Sequence, residues 1–123
     1  MTPVHNLNEY LKAYFNKQQK LAGKLSEIGF IWPGNIQRRY LTCGKPYCAC
    51  QKDLKSRHGP YFYWTSKEGK KTVSRLLKPE EADLLEEWIG NRRKLETIVR
   101  QMKELSRKAF EVALKLRKEK QEG

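Results

Sequence analysis

Apolar side chains recur along the chain in two different helical stripes separated by a stretch of strand-like alternation. Over residues 7–28, Leu7, Leu11, Tyr14, Leu21, Leu25 and Ile28 fall at alternating spacings of four and three, with Gln18 filling the one gap. That period places them on one face of an amphipathic helix. Asn6 followed by Glu9 has the form of a capping box, and Gly29 and Trp32-Pro33-Gly34 close the segment. The second stripe is longer. Leu84, Trp88, Asn91, Leu95, Ile98, Met102, Leu105, Ala109, Val112 and Leu116 keep a 4-3 alternation for more than four heptads. It follows Lys78-Pro79-Glu80-Glu81, where proline suits a first helical turn and the acids suit the positive end of the helix dipole.

An unbroken helix from Pro79 to Lys120 would be about 60 Å long, whereas a globule of this chain length is about 35–40 Å across. Such a helix either bends near Gly90-Asn91 or needs a partner. The N-terminal helix covers about half of the seam. We therefore expect an antiparallel helical pair that also self-associates as a homodimer through Leu95, Ile98, Met102, Leu105, Val112 and Leu116. A two-helix core with a frayed C-terminus is the plainer alternative.

Between the stripes the period changes to two. Ile36–Thr42 reads as a strand, Tyr61–Ser66 as a second dense in aromatics, and Lys71–Leu77 as a third after the turn Lys67–Lys70. Three short antiparallel strands bury little by themselves and need a helix, a metal staple or both. The fold class expected is α+β: a small three-stranded antiparallel β unit with a zinc knuckle, flanked by an N-terminal amphipathic helix and a long C-terminal heptad-patterned helix. Its parts are residues 1–34, 35–78 and 79–123 of one domain.

Composition bounds this picture. The chain has 123 residues, 38% hydrophobic and 33% charged, which allows one domain with a thin core. No run approaches the roughly 18 apolar residues of a membrane span, and the first residues lack the apolar stretch of a signal peptide. Three cysteines cannot all pair within one chain, so a reduced, cytoplasmic protein is expected. The net charge of +12 is unevenly placed. Residues 35–78 carry 11 basic and 2 acidic side chains, a net of +9, against +2 before them and +1 after them. A concentrated excess of this kind suggests a polyanionic partner, most often nucleic acid.

Cys43, Cys48 and Cys50 lie in the same short stretch, with His58 in the pattern C-x4-C-x-C-x7-H. Three thiolates and one imidazole complete a tetrahedral zinc shell, and Gly44, Pro46 and Gly59-Pro60 supply the bends that wrap an ion. Buried or redox-active thiols without metal, and a catalytic metal site, are the other readings. A filled four-ligand shell argues against the last, because it leaves no position for water. Three thiolates on a divalent ion leave the site at a net charge of about −1. Surrounding cations, not the metal, would therefore attract phosphates.

Those cations are Arg38 and Arg39 on the first strand, Lys45 inside the knuckle, and Lys52, Lys55 and Arg57 before His58. Lys67, Lys70 and Lys71 stand at the hairpin tip, with Arg75 on the last strand. Strand alternation should put Arg38 and Tyr40 on one face, with Arg39 and Leu41 on the other. It also sends Tyr61 and Tyr63 to one side and Phe62 and Trp64 to the other, so one pair packs on helices. The tyrosines are the better candidates for stacking on bases, exposed beside Arg38 and Tyr40. No phosphate-cradling glycine loop, nucleophile elbow or carboxylate pair is present, and an enzyme is not expected.

The run Arg39-Tyr40-Leu41-Thr42-Cys43-Gly44-Lys45-Pro46-Tyr47-Cys48-Ala49-Cys50, continued by His58-Gly59-Pro60-Tyr61-Phe62-Tyr63 and Val73-Ser74-Arg75, resembles the core of a family of small uncharacterised bacterial and archaeal proteins. That family has the form R-Y-L-x-C-G-K-x-x-C-x-C, then H-G-P-Y-x-Y, a hairpin and a long helix. The resemblance covers the central 40 or so residues and implies one module of cysteines, histidine and basic strands, without an assigned activity. The function expected from the residues is nucleic-acid binding, with duplex DNA slightly ahead of structured RNA. The alternative is an accessory subunit that docks by its helical seam on a larger enzyme or nucleoprotein complex.

Overall fold

In the computed structural model, which describes residues 4–122, the order is α1 (Val4–Leu25), β1 (Asn35–Leu41), β2 (His58–Glu68), β3 (Lys71–Leu77) and α2 (Pro79–Glu122). Two 3-10 turns, Ala49–Gln51 and Leu54–Ser56, lie between β1 and β2. The chain forms two compact units. One is Phe30–Arg92, holding the sheet and the start of α2; the other joins the residues up to Gly29 with those from Arg93 onward.

In the first unit the strands are antiparallel in the order β1-β2-β3. The central strand is β2, at 11 residues longer than the sequence pattern alone suggests, because its ends pair with Leu41 and Lys71. Gly69, with φ +66, opens the two-residue turn to β3, a conformation glycine adopts without steric cost. Register assigns the faces. Ile36, Arg38, Phe62, Trp64, Val73, Arg75 and Leu77 share one side; Gln37, Arg39, Tyr61, Tyr63 and Leu76 share the other. On the first side Trp64 and Leu77 meet Ala82 and Ile89 of α2, with Ile36, Phe62, Val73 and Leu85 packed around them. That side is the core. Arg38 lies at its rim, 5.6 Å from the centre of the Phe62 ring, and not among the tyrosines.

The segment from Phe30 to Gly34 is pinned across this unit. Trp32 donates its backbone N–H to the Trp88 carbonyl at 3.2 Å, and the Trp64 indole donates to the Pro33 carbonyl at 2.7 Å. Asn91 Nδ2 donates to the Phe30 carbonyl at 2.8 Å. At Gly34, with φ +87, a Cβ would collide with the Thr65 carbonyl and the Trp64 ring. Helix α2 starts with Lys78 as its cap: the Lys78 N–H donates to Glu81 Oε1 at 2.9 Å, half of a capping box, with Pro79 in the first turn.

The buried stripe of α2 differs from the heptad seam in its first part. Ala82, Leu85 and Ile89 turn inward, while Leu84 remains 48% exposed. Trp88 and Asn91 meet the Phe30–Trp32 segment instead. The reason is that α2 has a sheet as its partner here, and a sheet selects a different stripe. The helix runs through Gly90-Asn91 without interruption, for 44 residues or about 66 Å.

In the second unit α1 and the later part of α2 lie antiparallel. Leu7, Tyr10 and Tyr14 border Lys108, Val112 and Lys115, whereas Lys17, Leu21 and Lys24 border Gln101, Leu105 and Lys108. Leu7, Ile98 and Leu116 are buried, with Leu11, Leu21, Leu25, Leu95, Met102, Leu105 and Val112 half-buried. The residues expected to join two copies thus lie on the stripe that α1 covers. Helix α1 begins at Val4, so Asn6 lies inside it and not at its start, and it ends at Leu25, followed by turn-like hydrogen bonds through Ile28. No helix among the described residues is long and apolar enough to cross a membrane.

Candidate metal centre

The connection from β1 to β2 folds on its own cysteines. Cys43 follows the end of β1, Cys48 and Cys50 flank and enter the first 3-10 turn, and His58 opens β2. The ligand atoms of Cys43, Cys48, Cys50 and His58 all lie within 4.8 Å of one another. Cys43 Sγ and Cys50 Sγ are 3.6 Å apart, and Cys48 Sγ is 3.4 Å from His58 Nε2. Metal–sulfur bonds of about 2.3 Å in a tetrahedron set neighbouring sulfurs about 3.8 Å apart, with sulfur–nitrogen edges slightly shorter. Both close pairs match those edges. The four residues could therefore hold one metal ion, as their spacing suggested.

Supporting groups hold the loop in this shape. The Cys43 N–H donates to Cys50 Sγ at 3.3 Å, orienting a thiol that is only 1% exposed. Gln51 Nε2 donates to the Cys43 carbonyl, and Asp53 caps the second 3-10 turn by accepting from the Lys55 N–H at 3.0 Å. Gly59, with φ +139, lets the chain pass β1: a Cβ there would stand 2.7 Å from the Arg39 carbonyl. Gln51 carries no spacing signature that marks it in the sequence. Its position directly after Cys50 is the one signal available.

The thiols are electrostatically unequal. The Cys50 N–H, then the His58 ring and the neighbouring thiols, lower the Cys48 pKa to about 6. For Cys50 the Cys43 N–H pulls downward, but burial and the adjacent thiols outweigh it and the value rises. Cys48 is thus the thiolate ready at neutral pH, whereas Cys50 would have to give up its proton to join a metal shell.

The basic and aromatic candidates divide into groups. Lys45, Lys52, Lys55 and Arg57 are all exposed on the Cys/His loop, and Lys70 and Lys71 at the hairpin tip. Arg39, Tyr61, Tyr63 and Lys67 share the sheet face opposite the core. There the Arg39 guanidinium lies 4.3 Å from the Tyr63 ring centre and donates to Gln37 Oε1 at 2.7 and 3.2 Å. Arg38 and Arg75 belong to the helix-facing side. Tyr40 sits at the irregularity between Arg39 and Leu41, 54% exposed. The tyrosines therefore keep company with Arg39 and not with Arg38. Gln37 and Leu76 share this face without any spacing signature in the sequence, and Tyr47 stands 83% exposed on the Cys/His loop.

The fold and site define a class: an α+β chain with a Cys3His cluster built into a sheet hairpin. A family model, the domain of unknown function DUF6788, matches residues 11–87, and the chain belongs to that family. The matched span takes in most of α1, the whole sheet, all four cluster residues and the start of α2. No curated protein and no solved structure matches the chain.

Proposed function

We propose that the chain is a nucleic-acid-binding protein in which Cys43, Cys48, Cys50 and His58 hold a structural zinc ion. The observation that carries this reading is the exposure of Lys45, Lys52, Lys55 and Arg57 together on the loop that carries the Cys/His cluster. Zinc suits a soft thiolate and imidazole set in tetrahedral array, and four protein ligands leave no coordination position for water. The ion acts as scaffold. Phosphates are met by the cations around it, whose placement depends on the loop staying closed. Three free thiols in a chain of this kind suit a reducing compartment.

Purification without nuclease, metal analysis, and titration with labelled nucleic acid test the proposal together. One zinc per chain is expected, with an affinity that falls by orders of magnitude between about 50 and 200 mM salt. A flat salt response or a zinc-free protein overturns it. The accessory-subunit reading draws on a separate observation, the exposed Phe15, Phe110 and Leu114 of the helical unit. Stoichiometric co-purification of one protein partner, with no affinity for nucleic acid, would favour that reading instead.

A further inference from the structure

The sheet face opposite the core is neither a conventional polar surface nor a buried one. Tyr61 is 39% exposed on the central strand, and Leu76 is 57% exposed on β3, directly across from Tyr63. Tyr61 stands directly across from Arg39 in the β1–β2 register. The Arg39 guanidinium lies over the Tyr63 ring, 4.3 Å from its centre, and is held there by its hydrogen bonds to Gln37 Oε1. A tyrosine ring, a guanidinium over a second ring, and an aliphatic side chain thus occupy neighbouring positions of one sheet face.

Charge selects the side from which a polyanion approaches. Residues 35–78 carry +9, but residues 79–91 hold Glu80, Glu81, Asp83, Glu86 and Glu87 and no base, a net of −5. All five acids are exposed on the part of α2 that packs behind the sheet. Arg38 and Arg75 on the helix-facing side offset only two of these five acids, so that side stays net negative, and phosphates are drawn instead to the opposite sheet face and the Cys/His loop.

We infer that the platform of Arg39, Tyr61, Tyr63 and Leu76 binds an unpaired nucleic-acid strand by stacking its bases, while Lys52, Lys55, Arg57 and Lys67 meet its phosphates. This rests on the nucleic-acid reading above and narrows it to one ligand class, different from the duplex preferred on sequence grounds. A duplex turns phosphates and sugars outward and keeps its base faces stacked on one another. Against such a surface Tyr61 and Leu76 would lose water without gaining a stacking partner. Unpaired bases offer flat apolar faces, and rings and guanidinium planes on a strand accept them without regard to sequence.

The test compares fluorescein-labelled oligo(dT) and oligo(U) of about 15 nucleotides with a duplex of the same length, by fluorescence anisotropy on the zinc-loaded full chain at about 100 mM salt. Either single strand is expected to bind at least about tenfold tighter than duplex, and the comparison of the two shows which sugar the site prefers. Tyr61→Ala should weaken the single strand about tenfold and leave duplex affinity unchanged, whereas Tyr61→Phe should keep the wild-type value. Zinc content and the melting curve of each variant show that the fold is retained. Equal or tighter duplex binding, or a Tyr61→Ala protein indistinguishable from wild type, overturns this inference and leaves the broader nucleic-acid reading in place. Absence of binding to every probe overturns both.

Discussion

At the scale of single residues the chain's chemistry is concentrated in four side chains with unequal roles. Cys48, with a pKa of about 6 against an ordinary 9.0, is largely thiolate at neutral pH; Cys50 is buried and shifted upward. In metal-stripped protein, iodoacetamide should modify Cys48 first, with a rate that is half-maximal near pH 6, and Cys50 last. Peptide mapping over a pH series reads the order directly; fastest labelling at Cys50 would contradict it. The sign of the linkage follows from the lowered value. Cys48 adds stability that is complete above about pH 9, declines as the pH falls, and is gone below about 6. Replacing a ligand acts more bluntly. Cys50→Ala should take the metal content from one equivalent to near zero, by elemental analysis, and lower the melting temperature by more than about 10 °C. The cluster was legible because ligand chemistry imposes residue type and spacing together. Gln51 and Gln37 were not, since an amide that steadies a carbonyl or a guanidinium obeys no spacing rule.

Secondary-structure elements show where periodicity stops being informative. Each position the sequence pattern marks from Leu7 to Leu25 on α1, and Ile28 just beyond it, is half-buried or buried, because α1 has one partner and one face. Helix α2 has two partners in succession, and its 4-3 rhythm describes the second correctly and the first not. A sheet underneath the first turns draws in Ala82, Leu85 and Ile89, which a heptad anchored on Leu84 passes over. Ile89→Ala should therefore cost about 2–4 kcal/mol in urea unfolding, whereas Leu84→Ala should stay within about 0.5 kcal/mol. Equal effects would show that the seam does continue through Leu84. The strands carry a related lesson. Alternation correctly separates Tyr61 and Tyr63 from Phe62 and Trp64, and Arg38 from Arg39. What it leaves open is which first-strand residues join which pair, since that depends on register. The pairing Arg39↔Tyr61 settles it, and the irregularity before Leu41 interrupts the alternation at Tyr40.

For the whole molecule the distribution of charge matters more than its sum. By compact unit, Phe30–Arg92 has 12 basic and 7 acidic residues, a net of +5, and the remainder of the chain has +7. The helical unit is thus strongly positive and also presents Phe15, Phe110 and Leu114 to solvent. Phe15 lines a groove with Leu11, Leu105 and Ser106, and Phe110 lies one turn beyond Ser106 on α2. Because Leu105 and Val112 border α1, with Ile98 and Leu116 buried and Leu95 and Met102 half-buried, the flanking Phe15, Phe110 and Leu114 are the exposed apolar groups through which we propose that two copies of the helical unit pair. Such pairing also has to overcome like-charge repulsion. Self-association should accordingly strengthen with salt, as screening weakens the repulsion between copies while the apolar contact persists. Nucleic-acid binding should move the opposite way over the same range. Sedimentation at about 50 and 500 mM salt is the measurement. Phe110→Glu should abolish any such self-association at both concentrations, whereas Leu105→Ala should chiefly lower the melting temperature. A Phe110→Glu protein that still self-associates would place the contact elsewhere.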